Sequence, residues 1–166
     1  MDGGRPGGAL ERHELAGLRA RLAGVRIVFT NGCFDVLHRG HVELLATARG
    51  LGDCLVVGIN SDDSVRRLKG PSRPVTAAPD RAFILLHLRS VDFVTVFDKD
   101  TPLETIAALR PDVLVKGAEY GAGEIVGEDL VRESGGRVVR IPMVEGYSSS
   151  ELIDRIGRSR EGTAGR

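Results

Sequence analysis

The stretch of sequence that decides the fold is Thr30-Asn31-Gly32-Cys33-Phe34-Asp35-Val36-Leu37-His38-Arg39-Gly40-His41. It follows the apolar run Ile27-Val28-Phe29, which is typical of a buried strand over 26–30, and Asn31-Gly32 marks the turn that ends this strand. Apolar residues then lie mostly on one face over 41–50, and Gly50 ends the run, so the pattern predicts a helix. A strand, a tight turn and a helix in this order begin an α/β unit.

The same alternation of strands and helices continues to residue 156. Apolar runs predict further strands at 54–59, 93–97, 113–115 and 138–141. Helices are predicted at 11–22, after the Ser61-Asp62-Asp63 cap, at 81–89, at 102–109, just after Gly127, and at 149–156. Strands rich in Val, Ile and Leu are typical of sheets covered on both faces. We therefore predict a single α/β domain with a Rossmann-like, doubly wound parallel sheet of about five strands and helices on both faces. Its predicted extent is 11–156, with flexible tails at 1–10 and 157–166.

Length and composition exclude several classes of protein. The chain has 166 residues, and Lys plus Arg equals Asp plus Glu at 23 each, so no net positive field attracts nucleic acid or an anionic membrane. No apolar run approaches the roughly 20 residues of a membrane helix, and the Gly-rich start does not resemble a signal peptide. With only two cysteines, a disulfide scaffold or a zinc site is not expected. The expected compartment is the cytoplasm.

Two histidines open the helix that follows the first strand. A spacing of three residues places His38 and His41 on one side of the first helical turn. A helix N-terminus binds phosphate because its N–H groups lack partners and its dipole end is positive, and imidazoles add hydrogen-bond donors. Gly40 would let an anion approach closely. The chain has no GxGxxG after the first strand and no GxxxxGK[ST], so a dinucleotide dehydrogenase is disfavoured and a P-loop ATPase is excluded.

Other candidate residues lie at the ends of later strands. Lys69 and Lys116 are two of only three lysines beside 20 arginines, and each precedes a glycine, which hints that a compact ammonium is needed there. Lys116 follows the strand at 113–115, so it reaches the same sheet edge as the first turn. The three serines at 148–150 precede the last helix and suit an N-cap, a role that is compatible with phosphate binding.

Two separate segments carry a resemblance to a known family. GCFDVLHRGH together with VEGYSSSELI resembles the cytidylyltransferase-like nucleotidyltransferase superfamily, whose signature is HxGH. Within that superfamily TNGCFDVLHRGHVELLATARGLGD, INSDDSVRRLKGPSRPV and RPDVLVKGAEY resemble the adenylyltransferase branch that makes ADP-heptose. The resemblance covers about residues 25–156.

The resemblance implies a reaction and a set of site residues. AMP would pass from ATP to D-glycero-β-D-manno-heptose 1-phosphate, with pyrophosphate released and Mg²⁺ carried by the triphosphate. The catalytic residues would be His38, His41 and Lys69. The nucleotide-binding residues would be Thr30, Asn31, Gly32, Cys33, Phe34, Gly40, Glu145, Gly146, Tyr147, Ser148, Ser149 and Ser150. The substrate-binding residues would be Asp35, Arg81, Lys116, Gly117 and Tyr120, and no protein-held metal site is expected.

The role of Asp35 and the substrate of the chain each have more than one interpretation. Asp35 either caps the helix or orients a histidine, and Cys33 is read as a small turn residue rather than a nucleophile. Glycerol-phosphate cytidylyltransferases carry Arg where this chain has Met143, which favours the heptose branch. A cytidylyltransferase acting on glycerol 3-phosphate or another small phosphate is the main alternative, and a non-catalytic nucleotide-binding module is the other. The resemblance also implies a homodimer, and a heptose kinase acting in trans.

Overall fold

The computed structural model describes residues 8–118, 125–142, 144 and 146–161. Its strands are β1 (Gly8–Leu10), β2 (Ile27–Gly32), β3 (Cys54–Asn60), β4 (Phe93–Phe97), β5 (Val113–Gly117) and β6 (Arg137–Ile141). Its helices are α1 (Leu15–Arg21), α2 (Arg39–Arg49), α3 (Asp62–Lys69), α4 (Ala78–Leu86), α5 (Leu103–Leu109), α6 (Glu128–Glu133) and α7 (Ser149–Glu161). A short 3-10 helix at Arg12–Glu14 precedes α1.

The strands form one sheet in the order β1-β4-β3-β2-β5-β6, and every neighbouring pair is parallel. From β2 the chain builds outward through β3 and β4 on one side, then crosses back to place β5 and β6 on the other. The strand order therefore reverses between β2 and β5. In open α/β sheets this reversal opens a crevice at the carboxyl ends of the two strands, where ligands bind.

Two buried apolar layers cover the sheet. One face packs Val28, Leu55 and Val115 against Leu45 of α2 and Leu85 of α4. The other face packs side chains such as Phe29 and Val56 against residues of α1, α5 and α6. Helices on both faces confirm the predicted doubly wound α/β class.

The sixth strand and some helix bounds differ from the sequence prediction. Residues 8–10, predicted as part of a tail, form the edge strand β1 because β4 offers them a free row of backbone groups. Helix α4 begins at Ala78 rather than Arg81, since Pro79 in its first turn is compatible with a helix start. Helix α7 continues to Glu161, five residues beyond its predicted end at 156.

Candidate active site

The sheet reversal opens into a cavity of about 600 Å³. Its walls come from the carboxyl ends of β2, β3 and β5, the start of α2, the end of α3, and the segment that leads into α7. The predicted site residues that line it are Thr30, Asn31, Gly32, Cys33, Phe34, Asp35, His38, His41, Lys69, Lys116, Gly117, Tyr147, Ser148, Ser149 and Ser150. One crevice therefore gathers residues that lie more than 100 positions apart in the sequence.

The two histidines form a stacked pair at the start of α2. His38 is the N-cap, with an extended backbone, and His41 lies in the first turn. Their ring centroids are 3.8 Å apart and the rings are inclined by only 22°. The Nδ1 atoms of both rings are buried and have no hydrogen-bond partner among the described residues. Unpaired polar atoms at a helix N-terminus are what an anionic ligand would satisfy.

Burial favours the neutral form of both imidazoles in the free protein. It lowers the pKa of His38, and it lowers the pKa of His41 to about 4, with a smaller contribution from the charge of His38. A phosphate in the cavity would favour the charged form of each ring and raise its pKa. The pair can therefore take up protons when it meets a polyanion.

The low pKa of His41 makes folding stability depend on pH. The ordinary pKa of a histidine is 6.5 and that of folded His41 is about 4, so between these pH values the unfolded chain binds more protons. The free energy of unfolding should then fall on acidification from pH 6.5 to pH 4, by roughly 3 kcal/mol from this group. Urea unfolding across this window measures the fall, which should be clearly smaller in His41→Ala and unchanged in His87→Ala. An equal fall in all three proteins would contradict the assignment.

Gly40 is needed for the packing of the histidine pair. A Cβ at this position would lie 3.1 Å from two ring atoms of His38 and 3.2 Å from the Cβ of Tyr147. The Tyr147 ring stacks over His38 with centroids 6.2 Å apart. Gly40 therefore lies beneath these two side chains and does not line the cavity. The sequence had instead predicted that an anion would approach Gly40 directly. Gly146 also lies outside the cavity wall, in a turn with φ +78°.

Lys116 connects the two strands that flank the sheet reversal. Its Nζ donates a hydrogen bond of 2.5 Å to Oδ1 of Asn31, and the hydroxyl of Thr30 donates to the carbonyl of Val115 at 3.1 Å. The ammonium group is half-buried at the carboxyl end of β5, beside the turn that follows β2. This position is the one predicted for it, at the same edge as the histidines.

Lys69 is the last residue of α3 and is exposed on the opposite rim of the cavity. Gly70 follows it with φ +97°, a conformation that glycine adopts readily. No hydrogen bond or ion pair of the Lys69 side chain to another described residue is present. Its ammonium is thus available to a ligand phosphate.

The three serines line the cavity at the start of α7, and the first of them caps the helix. Ser148 Oγ accepts a hydrogen bond of 3.1 Å from the N–H of Glu151, which is capping geometry. Ser149 donates to the carbonyl of Val36 at 3.0 Å and so fixes the start of α7 against the segment before α2. Ser150 is exposed at the cavity wall. Capping and ligand binding are compatible here, as the sequence suggested.

Cys33 has the environment of an unreactive thiol. Burial raises its pKa, an effect that the nearby cations of Lys69 and Arg81 oppose only in part. Its Sγ lies 3.8 Å from Oδ1 of Asn60. A protonated thiol at neutral pH is a poor nucleophile, which agrees with its interpretation as a small turn residue.

Comparison with known proteins gives the family. The model of the family described as cytidylyltransferase-like matches residues 29–155. The chain belongs to the cytidylyltransferase-like family. This match confirms the family that the two motifs predicted, and with it the nucleotidyltransferase class of the domain.

Curated relatives and a solved structure agree with this family. The chain is 57% identical over 136 residues to the bifunctional protein HldE of Syntrophotalea carbinolica, and 54% identical over 136 residues to that of Wolinella succinogenes. Each match covers 82% of this chain but only 28% of the relative, so the chain spans about a quarter of the length of these proteins. A lipopolysaccharide core biosynthesis protein from Thermoplasma volcanium has a similar fold, with a TM-score of 0.63 and 27% identity, covering 74% of this chain and 100% of that chain.

Two predicted substrate contacts of this cytidylyltransferase-like chain have a different place in the structure. Arg81 has a fully buried side chain and does not line the cavity. Asp35 lines the cavity, but its carboxylate is completely buried and accepts hydrogen bonds from Arg73, Val75 and Thr76. Burial alone would raise the pKa of Asp35, yet the hydrogen bonds of Thr76, Val75 and Arg73 lower it below its ordinary value. Asp35 therefore neither caps α2 nor bonds to a histidine.

The cavity also includes residues to which the sequence analysis assigned no individual role. They are Leu44, Asn60, Leu68, Arg73, Asp100, Thr101, Pro102, Ile125 and Val126. Asn60 ends β3 and donates to the hydroxyl of Ser64 at 2.9 Å, and the rule that ligands bind at strand ends selects it together with the segment that follows, to Pro74. Asp100 to Pro102 lie just beyond the end of β4, and the same rule of strand ends would have found them.

Some predicted positions lie outside the described residues, namely Tyr120 and Glu145, together with Met143. Across the parts of the chain that the structure describes, no group of three or more His, Cys, Asp or Glu side chains could hold a metal ion. In the same parts, no helix is long and apolar enough to cross a membrane.

Proposed function

We propose that this chain transfers AMP from ATP to D-glycero-β-D-manno-heptose 1-phosphate and releases pyrophosphate, which yields ADP-heptose. The observation that carries the proposal is the stacked His38–His41 pair at the N-terminus of α2, facing Lys116 and Lys69 in one crevice. This arrangement offers donors and positive charge on several sides of a volume that suits a nucleotide. It is the cavity of a cytidylyltransferase-like domain.

The chemistry requires positioning more than bond-making by the protein. An oxygen of the sugar phosphate is already ionised at neutral pH, so it attacks the α-phosphorus of ATP without a general base. A bond forms between this oxygen and the α-phosphorus, the bond from the α-phosphorus to the bridging oxygen breaks, and that oxygen leaves with pyrophosphate. Charge accumulates on the oxygens around the α-phosphorus and on the leaving group. Fixed donors that meet this charge lower the barrier.

The side chains of the cavity suit these demands. His38 and His41 would donate to the triphosphate and to the oxygens of the five-coordinate phosphorus. Lys69, exposed on the rim and followed by Gly70, would fold toward the leaving pyrophosphate. Lys116, at the end of β5, would hold the phosphate of the acceptor in line with the α-phosphorus.

Mg²⁺ would enter with the triphosphate as part of the substrate. The described acidic side chains of the cavity are engaged elsewhere, since Asp35 is bonded to Arg73 and Asp100 to Arg67. Mg²⁺ commonly keeps several waters and binds chiefly through substrate phosphates, so this donor set fits a metal that comes with the nucleotide.

Similarity supports the choice of base and acceptor. The segments around residues 30–53, 59–75 and 110–120 resemble the branch that forms ADP-heptose, and the name of the curated relatives, bifunctional protein HldE, agrees with that branch. The solved neighbour, by its title a lipopolysaccharide core biosynthesis protein, agrees with a role in making a glycan precursor. We therefore place the reaction in heptose metabolism.

A second candidate is a cytidylyltransferase that acts on glycerol 3-phosphate or another small phosphate, which the description of the family favours. Pyrophosphate release distinguishes the candidates when ATP, CTP and GTP are each paired with β-heptose 1-phosphate, α-heptose 1-phosphate, glucose 1-phosphate and glycerol 3-phosphate. We expect release with ATP and the β-heptose phosphate, at least about 10-fold faster than with any other pair. Preference for CTP would overturn the adenylyl assignment. Tight nucleotide binding without release from any pair would favour the non-catalytic module.

The proposal also includes the source of the acceptor, the oligomeric state and the compartment. The acceptor carries a phosphate, so a kinase must supply it, and we propose that a heptose kinase can do so in trans. Adding a separate kinase that phosphorylates heptose at O1, together with the free heptose and ATP, should then start pyrophosphate release. We also propose a homodimer, to be checked by light scattering, and a cytoplasmic site for this ATP-consuming reaction.

A further inference from the structure

The turn after β2 contains a residue in an unfavourable backbone conformation. Phe34 has φ +48°, in the left-handed region that a bulky side chain rarely adopts. Its ring is buried, and the ring centroid lies 5.0 Å from that of His41. Strain of this kind persists only where surrounding groups hold the residue in place. Hydrogen bonds on both sides of Phe34 hold it in this conformation.

On one side of Phe34, the carbonyl of Cys33 accepts a hydrogen bond of 2.6 Å from Nη1 of Arg81. The guanidinium is fixed by two other bonds, from Nε to the carbonyl of Thr76 at 2.9 Å and from Nη2 to Asp62 at 2.7 Å. The Arg81 side chain is completely buried. Three donors pointing to three acceptors define the position of the Cys33 peptide group.

On the other side of Phe34, the carboxylate of Asp35 is held equally firmly. Its Oδ1 accepts from the N–H groups of Val75 and Thr76, at 2.8 Å each, and its Oδ2 accepts from Nε of Arg73 at 2.5 Å. Every one of these donors, and Arg81 as well, belongs to residues 73–81. Residues 73–81 therefore form hydrogen bonds with the turn immediately before and immediately after Phe34.

We propose that Arg81 and Asp35 are positioning residues, through which residues 73–81 keep Phe34 in its strained conformation with its ring against His41. Arg81 does not line the cavity, so it acts on the reaction only through the turn. For turnover this inference rests on the proposed function, but the orientation and burial of His41 are properties of the protein alone.

The decisive measurement is the NMR titration of the His41 ring in the intact chain. Arg81→Lys keeps the positive charge but cannot reach three acceptors at once, so any change at His41 comes from geometry and not from a lost charge. We expect the pKa of His41 to rise from about 4 toward its ordinary value of 6.5, by at least about one unit, as the ring loses its cover. Asp35→Ala should do the same.

Two variants control for simple destabilisation. Asp35→Asn keeps an oxygen for the N–H groups of Val75 and Thr76 and turns an NH2 group, which cannot accept, toward Arg73, so only the Arg73 contact is lost and its His41 should titrate close to the wild-type value. Arg19→Lys disturbs a partly buried ion pair with Asp112, 2.7 Å long, at the amino ends of β2 and β5, and should leave His41 unchanged. If Arg81→Lys fails to fold, the comparison of Asp35→Ala with Asp35→Asn still decides the matter.

Turnover provides an independent test of the positioning role. In Arg81→Lys and Asp35→Ala, kcat should fall about 10-fold while the KM of ATP changes less than about threefold, because donors are misplaced rather than removed. An unchanged His41 titration in folded Arg81→Lys and Asp35→Ala would overturn the inference. If the wild-type chain released no pyrophosphate at all, the proposed function would fail. The titration would still test whether residues 73–81 hold Phe34 against His41.

Discussion

Replacing His41 by Ala should lower the rate of nucleotidyl transfer by about 100-fold to 1000-fold, which is the usual effect of losing one preorganised donor. The structure explains why the effect should be large. The ring is locked between His38 and Phe34, at centroid distances of 3.8 and 5.0 Å, so it is already oriented before the substrate arrives. Water cannot replace a donor held in this way, because it would have to be ordered at the moment of reaction.

The folded state should tolerate this change. His41→Ala removes ring packing, but it also removes a buried Nδ1 that has no hydrogen-bond partner among the described residues. We expect the free energy of unfolding at pH 7.5 to change by no more than about 1 kcal/mol. Steady-state pyrophosphate release and urea unfolding of the same preparations measure both quantities.

The matched control is His87→Ala. His87 is exposed at the end of α4, where its Nδ1 lies 2.8 Å from the carbonyl of Phe83, and it does not line the cavity. This variant should keep full activity. Near-normal turnover in His41→Ala, measured with substrates that the wild-type chain converts, would refute the role given to His41.

The sequence was sufficient to predict the class of fold and the end of the sheet at which the cavity opens. Continuous apolar strands and the helices between them predicted the doubly wound sheet, and the rule that ligands bind at strand ends selected the turn after β2 and the end of β5. These features depend on local patterns. The edge strand β1 was missed because Gly8-Ala9-Leu10 has no strand signal of its own and is held by pairing with β4.

The roles of charged residues were harder to predict than their places. Asp35 and Arg81 were assigned to the substrate, yet both are buried and bonded to the protein. Which partner a charge meets depends on how distant segments pack, and the partners of Asp35 lie about 40 positions away in the sequence. The strain at Phe34 was equally hidden, since a phenylalanine gives no sign of a positive φ.

Replacing Lys116 by Met should raise the KM of the sugar phosphate by about 30-fold to 100-fold, while the KM of ATP changes little. Met keeps the unbranched shape and most of the length of the side chain and removes the charge, so the change tests the ammonium itself. A hydrogen bond to a charged group contributes about 1.5–3 kcal/mol, which corresponds to about 10-fold to 150-fold and includes the expected rise. Initial rates with each substrate varied in turn, using Mg²⁺-ATP and β-heptose 1-phosphate, separate the two constants.

Lys99→Met is the corresponding control, because Lys99 is exposed and does not line the cavity. It should leave both KM values unchanged. Lys116 also donates to Asn31 across the sheet reversal, at 2.5 Å, so its loss should slightly loosen the carboxyl end of β2 as well. A purely structural role would lower kcat and the melting temperature together without a selective rise in the KM of the acceptor. A selective rise in the KM of ATP would instead place the ammonium on the triphosphate, and the acceptor phosphate would then need another cation of the cavity, such as Lys69 or Arg73.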